Sequence, residues 1–165
     1  MLLVYKLNPN AIIPKYATSR SACFDLHACL VKDERVKYID SLNVLTEGQL
    51  FSDTLILHPG CRALIPTGLK FNIPPGYSVR LHPRSGLSFK SGLTLSNCEG
   101  VIDEDYREEI FISMHNISYC NVAIKHGDRV CQAELTKDYK IPIVEVLEDI
   151  SRTGDRIGGF GSTGK

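Results

Sequence analysis

The 165-residue sequence has no excess of charge of either sign: nineteen Lys and Arg balance nineteen Asp and Glu. A balanced chain lacks the basic stripe of an extended nucleic-acid footprint and the polybasic face that binds anionic membranes, so neither partner is expected. No apolar run approaches the ~18 residues of a membrane-spanning helix, and the opening MLLVYKLNPN is too short and polar for a secretory signal. Six cysteines are present, yet Cys23, Cys29, Cys61, Cys98, Cys120 and Cys131 form no CxxC pair and no Cys/His cluster. They read as free thiols in small core or interface positions, not as disulfides or zinc ligands. Also missing is a 3.6-residue apolar stripe held over about three turns, which excludes a helical bundle. A soluble, cytoplasmic protein with one folded domain is expected.

What the sequence does contain is a succession of short strand signals. LLVYKL (2–7), CRALIPTGL (61–69), YSVRL (77–81), EIFISMHNI (109–117) and VCQAEL (130–135) are rich in β-branched and aromatic residues. Pro59-Gly60, Thr67-Gly68, Pro74-Pro75-Gly76 and His126-Gly127-Asp128 punctuate them as turns. The pattern predicts an all-β, jelly-roll-like domain over residues 1–150 with one short helix at Ser85–Ser91. Two segments break the rhythm. Residues 31–54 are charged and poor in turn signals and read as an inserted excursion. Residues 151–165, SRTGDRIGGFGSTGK, are nearly free of large apolar groups and read as a flexible, glycine-rich tail.

The tail formally matches a dinucleotide fingerprint and most of a phosphate-binding loop, but each of those needs a strand before it and a helix after it. Neither flanking element is readable here. What remains is an arginine, an aromatic ring and two hydroxyls among glycines, an inventory suited to wrapping a phosphorylated aromatic ligand.

Five segments in order carry a more specific signal: ATSRSACFDLHA (17–28), PRSGLSFKSGL (83–93), GVIDEDYREEI (100–110), GDRVCQAE (127–134) and RIGGFGSTG (156–164). Together they resemble the five motifs of the homotrimeric dUTPase family, across nearly the whole chain. The resemblance implies a jelly-roll-like subunit, a trimer with shared active sites, and Mg²⁺-dependent hydrolysis of dUTP to dUMP and pyrophosphate. By the same resemblance, Asp103 holds and activates the attacking water, a role that suits a carboxylate. Tyr106 packs on the deoxyribose and leaves no room for a 2′-hydroxyl. The backbone from Asn97 through Gly100, Val101 and Ile102 meets the uracil edge, where cytosine would leave buried polar groups unpaired. Arg84, Ser85 and Gly86 form a phosphate-binding turn, Gln132 lies near the α-phosphate, and Asp25 reaches Mg²⁺ through water. In the tail, Phe160 covers the uracil, while Arg156, Gly161, Ser162 and Thr163 approach the phosphates. Lys90, Asp105, Arg107, Asp128 and Arg129 are assigned to structure or intersubunit contacts.

The chain departs from the family pattern at several positions. Arg20 and Cys23 stand where motif one carries glycines, and Glu108 stands where motif three carries glycine. Arg156 lies four residues before Phe160 where five is usual, which leaves Arg156 and Arg152 as alternatives for the γ-phosphate contact. The excursion at 31–54 is outside the common pattern and could be inert surface, an oligomer contact or a site for a protein partner. Two other functions compete: a dCTP deaminase-like enzyme of the same fold, and a regulatory protein-binding module that uses the excursion.

Overall fold

The computed structural model describes residues 1–31, 35–155 and Gly158. Short strands follow one another as β1 (Leu3–Lys6), β2 (Phe24–His27), β3 (Val36–Ile39), β4 (Leu45–Gly48), β5 (Leu50–Phe51), β6 (Thr54–Leu57), β7 (Arg62–Pro66), β8 (Leu69–Asn72) and β9 (Tyr77–Pro83). Helix α1 (Ser85–Ser91) comes next, then β10 (Leu93–Leu95), β11 (Gly100–Ile102), β12 (Phe111–Asn116), β13 (Val122–Lys125) and β14 (Arg129–Lys137). The main layers are a five-stranded sheet ordered β10-β12-β7-β3-β4 and a four-stranded sheet ordered β11-β9-β14-β2. Smaller sheets, β1-β8 and β13-β6-β5, complete the jelly-roll-like sandwich, and every named pairing is antiparallel.

Alternation along the strands explains the layers. In β7, Ala63 and Ile65 are buried while Arg62 and Leu64 are partly exposed; in β12, Ile112 and Met114 are fully buried between more exposed neighbours. These meet Leu26, Val79, Leu81, Cys131 and Ala133 of the other sheet in one contiguous core. Phe24 adds an edge-on contact with Phe71, ring centroids 6.4 Å apart. The buried Asn116 is satisfied: its amide donates to the carbonyls of Leu57 and Cys120, both at 2.8 Å, and its oxygen accepts from Ser118.

The expected helix is present with the expected limits. Gly92 ends it at φ 63°, donating its N–H to the Leu87 carbonyl, a left-handed cap that glycine adopts without strain. A Cβ at that position would also come within 2.8 Å of the Ser118 Cβ.

Residues 35–54 of the expected excursion are built into the sandwich. They carry the β3–β4 hairpin, which widens the five-stranded sheet and buries Val36, Tyr38 and Gly48. The turn is closed by a side chain: Asp40 Oδ1 accepts the N–H groups of Leu42 and Val44, each at 2.9 Å, with Asn43 at φ 67°. Residues 139–155 form no helix or strand, and Ile141, Ile143, Val144 and Leu147 are exposed.

Candidate active site

The four-stranded sheet brings the phosphate-binding candidates together from distant parts of the chain. Asp25 on β2 lies directly opposite Gln132 on β14, which in turn lies opposite His82 on β9. Cross-strand partners share a face, so the register alone sets Asp25 and Gln132 side by side. One residue beyond β9, Arg84 takes the N-cap position of α1. With Ala17, Ser21, Ala22 and Cys23, the side chains of Asp25, Arg84, Ser85 and Gln132 and the backbone of Gly86 enclose a cavity of about 400 Å³.

Hydrogen bonds order this wall. Asp25 takes Arg84 Nε on Oδ1 and Arg129 Nη1 on Oδ2, both at 3.1 Å. Arg84 also donates to the Arg129 carbonyl at 3.0 Å, and Gln132 donates to the Pro83 carbonyl at 3.1 Å. Arg84 has extended backbone and no side-chain cap bond, so the first N–H groups of α1 take no acceptor from the side chain of their N-cap residue. Gly86 has no structural need to be glycine. A Cβ there would meet nothing within 4 Å, and glycine inside a helix costs about 1 kcal/mol relative to alanine. Its effect is to leave open backbone at the cavity.

The second group of candidates lies on the other side of β9. Strand β11 pairs with it at Gly100–Leu81, Val101–Arg80 and Ile102–Val79. Gly100 is buried, and a Cβ there would come within 2.9 Å of Leu81 Cδ1, so the hairpin backbone packs directly on the neighbouring strand. At the tip, Glu99 N–H bonds the Asn97 carbonyl at 2.6 Å and Cys98 sits at φ 60°. Asp103 opens a four-residue turn closed by Tyr106 N–H on its carbonyl at 3.1 Å. The Tyr106 hydroxyl donates to the Glu109 carbonyl at 2.8 Å, and burial followed by Glu108 and Glu109 raises its phenol pKa. Arg107 bonds the Glu104 carbonyl and, at 3.3 Å, that of Tyr106, in keeping with its structural assignment.

One chain does not bring the two groups together. Ile102 is opposite Val79, so Asp103 leaves the sheet beside Ser78, six residues from Arg84 along β9. At about 3.3 Å per residue that separation is roughly 20 Å. Within one chain the Asp103 turn and the cavity beside Arg84 therefore stand apart.

Several features were not foreseen. Arg129, assigned to structure, shares the Asp25 carboxylate with Arg84, while Asp128 does serve the turn, accepting Lys125 N–H at 2.8 Å. The register of β14 on β2 shifts between Arg129 and Cys131, which spacing in sequence does not reveal. His82 adds a polar row, 3.2 Å from Glu134 and 3.7 Å from Glu99. Burial raises the Cys23 thiol pKa, reinforced by Glu134 and Asp25, and burial pushes Cys131 up to about 12, so both remain protonated space-fillers. Burial lowers His27, against the attraction of Asp25. The tail candidates Arg156, Phe160, Gly161, Ser162 and Thr163 lie outside the described residues.

The family model for dUTPase matches residues 50–164. The deoxyuridine 5′-triphosphate nucleotidohydrolase of Nautilia profundicola is 41% identical over 164 residues, which cover 99% of each chain. The chain belongs to the dUTPase family. The corresponding enzyme of Finegoldia magna is also 41% identical, over 94% of this chain and 93% of that one. Among solved structures, a mutant dUTPase of Staphylococcus bacteriophage 80alpha with dUpNHpp superposes with a TM-score of 0.76 at 22% identity, covering 99% and 98% of the two chains. The Streptococcus mutans dUTPase gives 0.65 at 26% identity, covering 86% and 98%.

No group of three or more His, Cys, Asp or Glu capable of holding a metal exists among the described residues. Each Asp25 oxygen carries one arginine bond and keeps a second lone pair, enough for a water-mediated contact.

Proposed function

We propose that this protein hydrolyses dUTP to dUMP and pyrophosphate, limiting uracil in DNA and supplying dUMP for dTMP synthesis. The observation that carries the reading is the gathering of Asp25, Arg84, Ser85, Gly86 and Gln132 around one cavity, in a chain whose relatives are nucleotidohydrolases. Ser85 and the adjoining N–H groups bind phosphate oxygens, Arg84 supplies positive charge, and Gln132 orients the α-phosphate. Asp25 would hold Mg²⁺ through water, and the ion would supply charge neutralisation for the phosphoryl oxygens. Asp103 holds the nucleophilic water and takes its proton as the water oxygen bonds to the α-phosphorus. The bond from that phosphorus to the bridging oxygen breaks, and pyrophosphate leaves. Tyr106 stacks on the deoxyribose, and the 97–102 hairpin reads the uracil edge. Arg156, Phe160, Gly161, Ser162 and Thr163 close over the nucleotide, with Arg152 the alternative to Arg156 at the γ-phosphate.

The active assembly in this proposal is a homotrimer in which Asp103 of one copy serves the cavity of another. Two observations support it: the separation of Asp103 from its own cavity, and the uncovered apolar side chains of residues 139–150. A cytoplasmic location accompanies the proposal; no helix among the described residues is long and apolar enough to cross a membrane. The test is pyrophosphate release across the deoxynucleoside triphosphates with Mg²⁺. Release from dUTP alone is expected, and ammonia from dCTP without pyrophosphate would replace this reading with a deaminase.

A further inference from the structure

The turn that carries Asp103 is pinned by a neighbour to which no role has been given. Residues 74–77 form a β-turn, closed by Tyr77 N–H on the Pro74 carbonyl at 3.2 Å, with Pro75 second and Gly76 third at φ 78°. That is the type II pattern, in which the N–H of the third residue points out of the turn and takes no part in closing it. Glu104 supplies its partner: Oε2 accepts the Gly76 N–H at 2.7 Å. The carbonyl of Gly76 accepts from Asp138 N–H at 2.9 Å, just past the end of β14, so the glycine is held from both sides. At the other end of the segment a second glutamate acts alike. Glu109 Oε1 accepts the N–H of Gly68, another positive-φ glycine (67°), at 2.7 Å.

We propose that Glu104 is a positioning residue for water activation: by binding the Gly76 N–H it fixes the direction in which Asp103 presents its carboxylate. The inference rests on the reading of Asp103 as the base. Asp103 has left the β11–β9 ladder, whose last pair is Ile102–Val79, so its backbone depends on contacts of the turn itself. Glu104 is the next residue, and its bond reaches from the turn to the entrance of β9. With Glu109 and the Ile110 N–H bond to Leu69 (2.9 Å) still in place, losing the Glu104 bond loosens one end of the segment and leaves it folded. The effect therefore falls on kcat more than on substrate binding, because general-base catalysis is sensitive to misplacement of about 1 Å.

The test compares Glu104→Ala, Glu104→Gln and Asp103→Asn in the full chain, by kcat, KM, affinity for a non-hydrolysable imido analogue of dUTP, and exchange of the Gly76 amide hydrogen. Glu104→Ala is expected to speed Gly76 exchange at least ~tenfold and lower kcat about tenfold, with analogue affinity within about twofold. Glu104→Gln keeps an oxygen acceptor and is expected to restore both. Unchanged Gly76 exchange in Glu104→Ala would overturn the bond, and unchanged kcat would overturn the positioning role. A Glu104→Gln protein as slow as Glu104→Ala would overturn it too, since charge and not the hydrogen bond would then matter. Full activity in Asp103→Asn would instead withdraw the base assignment, while the Gly76 exchange result would stand by itself.

Discussion

The phosphate wall and the Asp103 turn are built in opposite ways. The wall is made by strand register: Asp25, Gln132 and Arg84 come from separate parts of the chain and are tied by side-chain bonds across the sheet. The turn is local, closed by bonds within residues 103–109, and reaches the rest of the protein through Glu104, Glu109 and the Lys70–Glu108 ion pair. A wall fixed by register is ready in a single chain. The turn on the far side of β9 leaves Asp103 exposed to solvent.

The largest expected effect tests the turn. Asp103→Asn keeps the size and removes the base, so kcat should fall at least ~10²-fold with affinity for a non-hydrolysable dUTP analogue nearly unchanged. Next comes the wall. Arg84→Ala removes a phosphate charge and leaves Asp25 with one arginine, so steady-state kinetics should show KM rising about tenfold or more. Together the two variants separate a chemical from a binding half; equal effects on both parameters would erase the distinction.

A smaller effect concerns the hairpin between the two. Gly100→Ala forces a Cβ within 2.9 Å of Leu81 in a packed sheet. It should lower stability by about 1–3 kcal/mol, measured by denaturant unfolding. The smallest effect is set by pH at His27, on the same strand face as Asp25. His27 has its pKa lowered from 6.5, mainly by burial, so the folded state disfavours the protonated ring. Stability from this group is complete above about pH 6.5 and is lost as pH falls through the lower folded value. Thermal melts of His27→Gln should therefore decline less than wild type between neutral and mildly acidic pH.

Much of this was legible before any coordinates. The strands show as alternating apolar runs between Gly and Pro turns, and α1 ends at Gly92. The β3–β4 hairpin was illegible because its turn depends on the Asp40 side chain and not on glycine or proline. The Arg129 contact with Asp25 is not legible in spacing, because the register of β14 on β2 shifts beside it. The motifs named Asp103 and Arg84 as candidates, but only the register of β11 on β9 puts roughly 20 Å between them within one chain.

That separation is the central claim, and subunit mixing tests it most directly. Asp103→Asn protein, slow in kcat, and Arg84→Ala protein, weak in KM, are unfolded together, refolded as mixed oligomers and assayed for pyrophosphate release at a dUTP concentration below the KM of either. Sites that draw Asp103 from one copy and Arg84 from another should regain activity well above either parent. Mixed oligomers shown to form but no more active than their parents would mean that each chain completes its own site.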